Sequence, residues 1–140
     1  MLSAADIAPI QRLSAHFTLA EMTHSATAAR KGIANVVTPE VERQPFLSAD
    51  RMEGVRALLG DKPISILSGY RSDAVNKAVG GSKTSAHRTG HAVDFICPSF
   101  GTPAQVAAHL AKHLKSYDQI IEEFGQWVHV GFGPQKRCKS

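Results

Sequence analysis

Apolar positions along the chain recur with two different periods, and these predict the elements. Met52, Val55, Leu58 and Leu59 fall at helical spacing, with Ser48 placed as a cap and Gly60 as the stop. Val106, Ala107, Leu110 and Leu114 form a second helical stripe behind Thr102-Pro103-Ala104-Gln105, a helix start with a capping-box pattern. Thr18-Leu19-Ala20-Glu21 has the same form and predicts a short helix ending near His24. The alanine-rich, basic stretch from Ala26 to Val37 predicts a helical turn and then a loop, turning at Gly32. Thr38-Pro39-Glu40 starts a further helix, which Pro45 should interrupt because it lacks an amide proton and crowds the preceding turn.

The remaining apolar runs are short and read as strands. Pro63 to Leu67 is one, and His91 to Cys97, bounded by Gly90 and Pro98, is another. Asp118 to Ile121 and Trp127 to Phe132 flank Glu122, Glu123, Phe124, Gly125 and Gln126 as a hairpin. Between the first two strands lies a polar segment, Ser68 to Gly90, with Gly69, Gly80 and Gly81. A connection of that length inside a small domain is usually functional. This order of elements predicts an α+β fold, a small and largely antiparallel sheet with flanking helices. At 140 residues the chain is expected to be a single domain, residues 1–140, with 1–16 and 133–140 peripheral.

Composition changes this picture little. A net charge of +4 suggests an anionic partner, whether nucleic acid, membrane surface or cell-wall polymer, but four excess charges are common on solvated surfaces. No nucleic-acid motif or basic-aromatic stripe accompanies the charge, so nucleic acid is not expected. Met1 to Ser14 carries Asp6, a single basic residue and no long apolar core, so no signal peptide is expected, nor any membrane insertion. Cys97 reads as a buried thiol and Cys138 as part of a polar, basic tail; two cysteines make no disulfide framework. A monomer is expected.

The candidate chemistry is concentrated in Ser85-Ala86-His87-Arg88-Thr89-Gly90-His91-Ala92-Val93-Asp94. Asp94 sits inside an apolar run, where an ionised carboxylate needs compensation, and a metal ion is the largest compensation available. His87 precedes the turn at Gly90, so the chain can fold back and bring its ring beside Asp94. His129, in the run Trp127 to Val130, offers a third ligand. Two histidines and one carboxylate, with a position left for water, are a ligand set of catalytic zinc sites. His91 reads as a rim residue. His109 and His113 have metal-ligand spacing on one helical face, but no glutamate follows His109, and the helix reads as a packed and solvated element.

Ser68-Gly69-Tyr70-Arg71-Ser72, Asn76, Gly80-Gly81, Ser85-Ala86-His87, Gly90, Ala92, Asp94 and Trp127-Val128-His129 together resemble the M15 zinc peptidases. That family includes D-alanyl-D-alanine carboxypeptidases and the peptidase domains of phage endolysins, and the likeness is greatest to its small, phage- and prophage-associated branch. It runs from about Phe17 to about Phe132. The resemblance implies that His87, Asp94 and His129 hold Zn2+ and that Arg71 holds a substrate carbonyl or carboxylate.

Many members place an acid three positions before the last histidine ligand. Here that residue is Gln126, which cannot take a proton, and Glu123 matches the glutamate that the small branch uses as general base. Glu122, its neighbour, would point to the opposite face of an extended strand. Ser85, Tyr70 and Trp127 are candidate substrate contacts, although Ser85 also suits fixing the loop, and Tyr70 and Trp127 also suit packing. The implied partner is a peptidoglycan peptide, and the implied role is lysis by a phage or prophage enzyme, made in the cytoplasm of the host bacterium and released to the wall. A wall-binding module on the same fold that has lost turnover is the rival reading, raised by Gln126. Whether the enzyme would act as an endopeptidase or a carboxypeptidase is open.

Overall fold

The short apolar runs assemble into one four-stranded sheet. The computed structural model, which describes residues 12–38 and 44–133, orders it β1 (Ser65–Ser68), β2 (Ala92–Ile96), β4 (Trp127–Gly131), β3 (Gln119–Glu123), with every neighbouring pair antiparallel. The α+β expectation is met. Side chains alternate between the two faces of a strand, and here the alternation divides core from site. Val93, Phe95, Ile120, Val128 and Val130 are all buried on one face. Asp94, His129 and Glu123, one position out of phase with them, belong to the other.

Helices close the apolar face. Met52 and Val55 of α3 (Gln44–Leu58), Leu59 just beyond it, and Val106 and Leu110 of α5 (Pro103–His113) are fully buried in the same cluster. Each such side chain contributes about 1.5–3 kcal/mol on leaving water. The helix starts behave as read. Thr18 and Glu21 exchange both hydrogen bonds of a capping box before α1 (Leu19–Met22), and Thr102 and Gln105 do so before α5. Ser25 caps α2 (Ala26–Lys31), which ends on Gly32 in the left-handed conformation.

Three expectations need correction. Ser48 caps nothing: it lies inside α3, 1% exposed, and its hydroxyl donates to the Gly90 carbonyl. Pro45 does not interrupt the helix but occupies the first turn of α3, where its missing amide proton is tolerated. The segment Ser68 to Gly90 is not a continuous loop. It holds α4 (Asp73–Ala78), capped by Ser72, and a 3-10 turn over Ala86–Thr89 that ends on Gly90 with φ 75°. Only Val75 and Asn76 of α4 are buried, too few to show a helical period. The start at Thr38-Pro39-Glu40 and the tail with Cys138 fall at least partly outside the described residues. Cys97 is buried as expected.

Residues 12–18 are strapped to α3 by one carboxylate. Glu53 accepts from the Ser14 hydroxyl at 2.5 Å and the His16 amide at 2.7 Å, and it meets His16 Nδ1 at 2.6 Å. Burial alone would raise the Glu53 pKa, but the hydrogen bonds from Ser14 and His16 outweigh it and hold the group below the usual carboxylate range. A depressed pKa contributes stability above the unfolded value, about 4.3, that is lost as pH falls through the folded one. Glu53→Gln is therefore expected to cost about 1 kcal/mol at pH 7 and to flatten the fall in stability between pH 5 and 3. Urea unfolding across that range measures both.

Candidate metal centre

Asp94 of β2 lies directly opposite His129 of β4 in the antiparallel register, so the two side chains share a face by construction. Asp94 Oδ1 stands 2.8 Å from His129 Nδ1 and 3.2 Å from His87 Nε2. His87 arrives from the 3-10 turn, only 2% exposed, with its ring edge-on to His129 at 5.2 Å between centroids. One ligand atom from each of the three lies within 4.8 Å of the others, a grouping in which the sequence reading and the geometry agree.

The protonation pattern tests whether a metal fits. His87 Nδ1 is 2.7 Å from the Gly69 carbonyl, which can only accept, so Nδ1 carries a proton. A neutral His87 then presents the bare lone pair of Nε2 to a carboxylate oxygen. Two acceptors face each other, and a cation between them resolves the conflict. Burial pushes the Asp94 pKa up, but the hydrogen bond and charge of His129, joined by those of His87 whenever it is protonated on both nitrogens, bring it down to about 2, so the carboxylate is ionised at neutral pH. Two imidazoles and an anionic oxygen suit zinc, and the Gly69 carbonyl orients His87 as outer partners of ligating histidines do.

Gly69 itself is required by a close approach. Tyr70 N–H donates to the Met22 carbonyl at 2.7 Å, and a β-carbon on Gly69 would stand 2.3 Å from that same oxygen. The end of α1 thus sets the height of the Gly69 carbonyl beneath His87. A similar constraint acts just past α4, where a β-carbon on Gly81 would meet Asn76 Oδ1 at 2.1 Å while Asn76 Nδ2 donates to the Ser82 carbonyl.

A cleft of about 1100 Å³ opens over the three candidate ligands. One wall carries Arg71, Lys83, Ser85 and Arg88; the other carries Glu123, Phe124 and Trp127. Arg71 N–H donates to the His87 carbonyl at 2.9 Å, and its Nη2 donates to Ser85 Oγ at 3.4 Å. Burial lowers the Arg71 pKa and the Asp94 charge opposes that shift; its buried Nε has no partner among the described residues. Ser85 Oγ also accepts from the His87 amide, which makes it a loop-fixing residue on the cleft wall. On the hairpin, Glu123 pairs with Trp127 and shares the face of His129. Glu122 is paired with Val128, out of phase, and Gln126 is an exposed turn residue lining a separate shallow groove.

Other candidates fall away from the site. Tyr70 is a correction: it is 3% exposed, its hydroxyl donates to the Val36 carbonyl, and it does not line the cleft, so packing is its role. His91 lines the rim, 2.7 Å from Thr89 Oγ1, and burial lowers its pKa. His109 Nε2 donates to the Leu58 carbonyl, and its ring packs between Phe100 and His113. Sequence reasoning left Gly69 without a role because a carbonyl has no residue signature. It also left Phe124 unremarked, although a bulky residue before Gly125 at a hairpin tip was visible.

Residues 15–131 match the Peptidase M15 family. Over 86 residues, 61% of the chain, the sequence is 31% identical to the zinc D-Ala-D-Ala carboxypeptidase of Streptomyces albus G. That match spans 33% of the relative's own length.

Zinc titrated into the metal-free protein, followed by calorimetry, should show one site and raise the thermal midpoint. Asp94→Asn and His129→Ala are each expected to weaken zinc at least as much as losing an outer partner does, about 100-fold. Unchanged affinity in either variant would remove that residue from the ligand set.

Proposed function

The chain belongs to the M15 peptidases, and on that premise we propose that it hydrolyses peptide bonds in bacterial peptidoglycan, in stem peptides or cross-links, with zinc held by His87, Asp94 and His129. The observation that carries the proposal is that Glu123, at the end of β3, and Arg71, just beyond β1 at the other edge of the sheet, line the same cleft as His87, Asp94 and His129. When bound by these three residues, zinc would supply Lewis acidity and activate water near neutral pH.

The chain's own residues do the rest. Glu123 takes the proton of the attacking water and returns it to the leaving amine, the work of a general base that then acts as an acid. Arg71 donates to the substrate carbonyl or to a terminal carboxylate through its planar fork. A donor aimed at the oxygen where charge develops contributes a few kcal/mol to the rate. Ser85 keeps the guanidinium in place, and Trp127 walls the cleft behind Glu123. The family likeness of the motifs extends the proposal to a lysis enzyme of phage or prophage type, acting on the wall after release from the host cytoplasm. A net charge of +4 suits an anionic wall polymer.

The module without turnover was raised by Gln126. Gln126 lies off the cleft and Glu123 on it, which favours turnover with the acid drawn from β3. Release of new amino groups from purified peptidoglycan tests the proposal. Glu123→Gln is expected to lose activity by about 10²- to 10⁴-fold while still binding zinc, and Glu122→Gln to retain it. A zinc-loaded wild type that releases nothing would favour the binding module. Full activity in Glu123→Gln would remove Glu123 as the base.

A further inference from the structure

The tip of the hairpin is built against its own turn preference. Gln126 N–H donates to the Glu123 carbonyl at 2.8 Å, closing a turn whose two central residues, Phe124 and Gly125, have φ of 55° and 67°. Left-handed backbone at both positions selects Asn, Asp or Gly at the first. A residue with a β-carbon costs about 1–2 kcal/mol there. Phe124 also gains little from burial, since it is 81% exposed, the most exposed large apolar side chain among the described residues. A strained position beside a candidate active site points to function rather than to folding.

The surroundings say what kind of function. The Phe124 ring stands edge-on to the half-buried Trp127, with centroids 5.9 Å apart and planes at 67°, so the two form a corner immediately beyond Glu123 whose exposed side is Phe124. Every lysine and arginine lining the cleft comes from the segment after β1 rather than from the hairpin: Arg71, Lys83, and Arg88, the last already ion-paired with Asp73. The hairpin wall carries carboxylates instead, Asp118 and Glu123. Carboxylate-bearing parts of a substrate therefore belong on the cationic wall, and the aromatic corner is left for an uncharged partner. The cleft, at about 1100 Å³, exceeds the roughly 300–1,000 Å³ of ordinary small-molecule sites, which leaves room beyond a short peptide. An open ring face gains most from a flat partner that covers it, whereas an aliphatic side chain gains most from an enclosed pocket.

We propose that Phe124 and Trp127 form a saccharide subsite, in which the C–H face of an N-acetylated pyranose of the glycan strand lies against the aromatic corner while the attached peptide enters the metal centre. The proposal rests on the peptidase reading above and deepens it: the substrate is the glycan-linked peptide rather than the peptide alone.

The test compares kcat/KM for one stem peptide, free and attached to its disaccharide, in wild type and in Phe124→Asn. Asparagine suits the left-handed turn position, so this variant removes the ring without endangering the fold, and its thermal midpoint should match or exceed that of wild type. The preference for the disaccharide-bearing peptide over the free one is expected to fall about tenfold. An unchanged preference, whether both substrates suffer equally or neither does, overturns the proposal. Trp127 is the only tryptophan, so its emission gives a readout independent of turnover. Titration with the disaccharide alone should change it saturably in wild type and not in Phe124→Asn. If wild type cleaves neither substrate, the peptidase reading fails and this titration decides the subsite by itself; no change in wild type overturns it.

Discussion

An ionised carboxylate in the middle of a β-sheet is the constraint on which the site depends. Asp94 is one position out of phase with Val93 and Phe95, whose side chains are fully buried, and it is itself mostly withdrawn from water. Leaving such a charge unpaired costs several kcal/mol, so its neighbours must supply donors or a cation. The antiparallel register supplies one imidazole, because it places His129 opposite Asp94 with no further adjustment. The other imidazole, His87, which with Asp94 and His129 could hold a cation, comes from outside the sheet and needs a separate turn. That turn is held in place by Gly90 in the left-handed conformation and by the Ser48 hydroxyl reaching the Gly90 carbonyl from α3.

The same residues link the site to the core. Ser48 lies in the helix that carries Met52 and Val55 into the core cluster, so helix packing also sets where the His87 turn ends. On the other side, α1 presses the Met22 carbonyl onto Gly69, whose own carbonyl fixes the proton on His87 Nδ1. Two helices outside the sheet thus position one imidazole. A rigid scaffold of this kind is what a metal centre requires, since ligands must be held in register before the metal arrives.

The sheet separates stability from chemistry by parity. Alternate positions of β2 and β4 serve the core and the cleft, so Asp94 and His129 sit one residue away from fully buried valines without entering the core. The division also explains why Glu123 and not Glu122 faces the cleft: in a strand, adjacent acids point apart. At the hairpin tip the alternation ends, and there the chain accepts a left-handed, exposed Phe124.

Much of this was legible in the residues. The helix caps at Thr18 and Thr102, the hairpin around Phe124 and Gly125, and the triad His87, Asp94 and His129 were readable because each depends on short-range patterns: a hydroxyl three residues before an acid or amide, a period of two, or a carboxylate where an apolar residue belongs. The role of Ser48 and the packing of Tyr70 were not, because a serine before an apolar stripe looks the same whether its hydroxyl meets its own helix or a carbonyl 42 residues away. Nor was α4, whose two buried residues are too few for a period. Local sequence determined which elements form and which groups could bind a metal, since those follow from backbone conformation and side-chain chemistry. Only the tertiary structure decided which groups converge, because convergence is set by strand register and by backbone carbonyls such as that of Gly69, which every residue possesses and no sequence distinguishes.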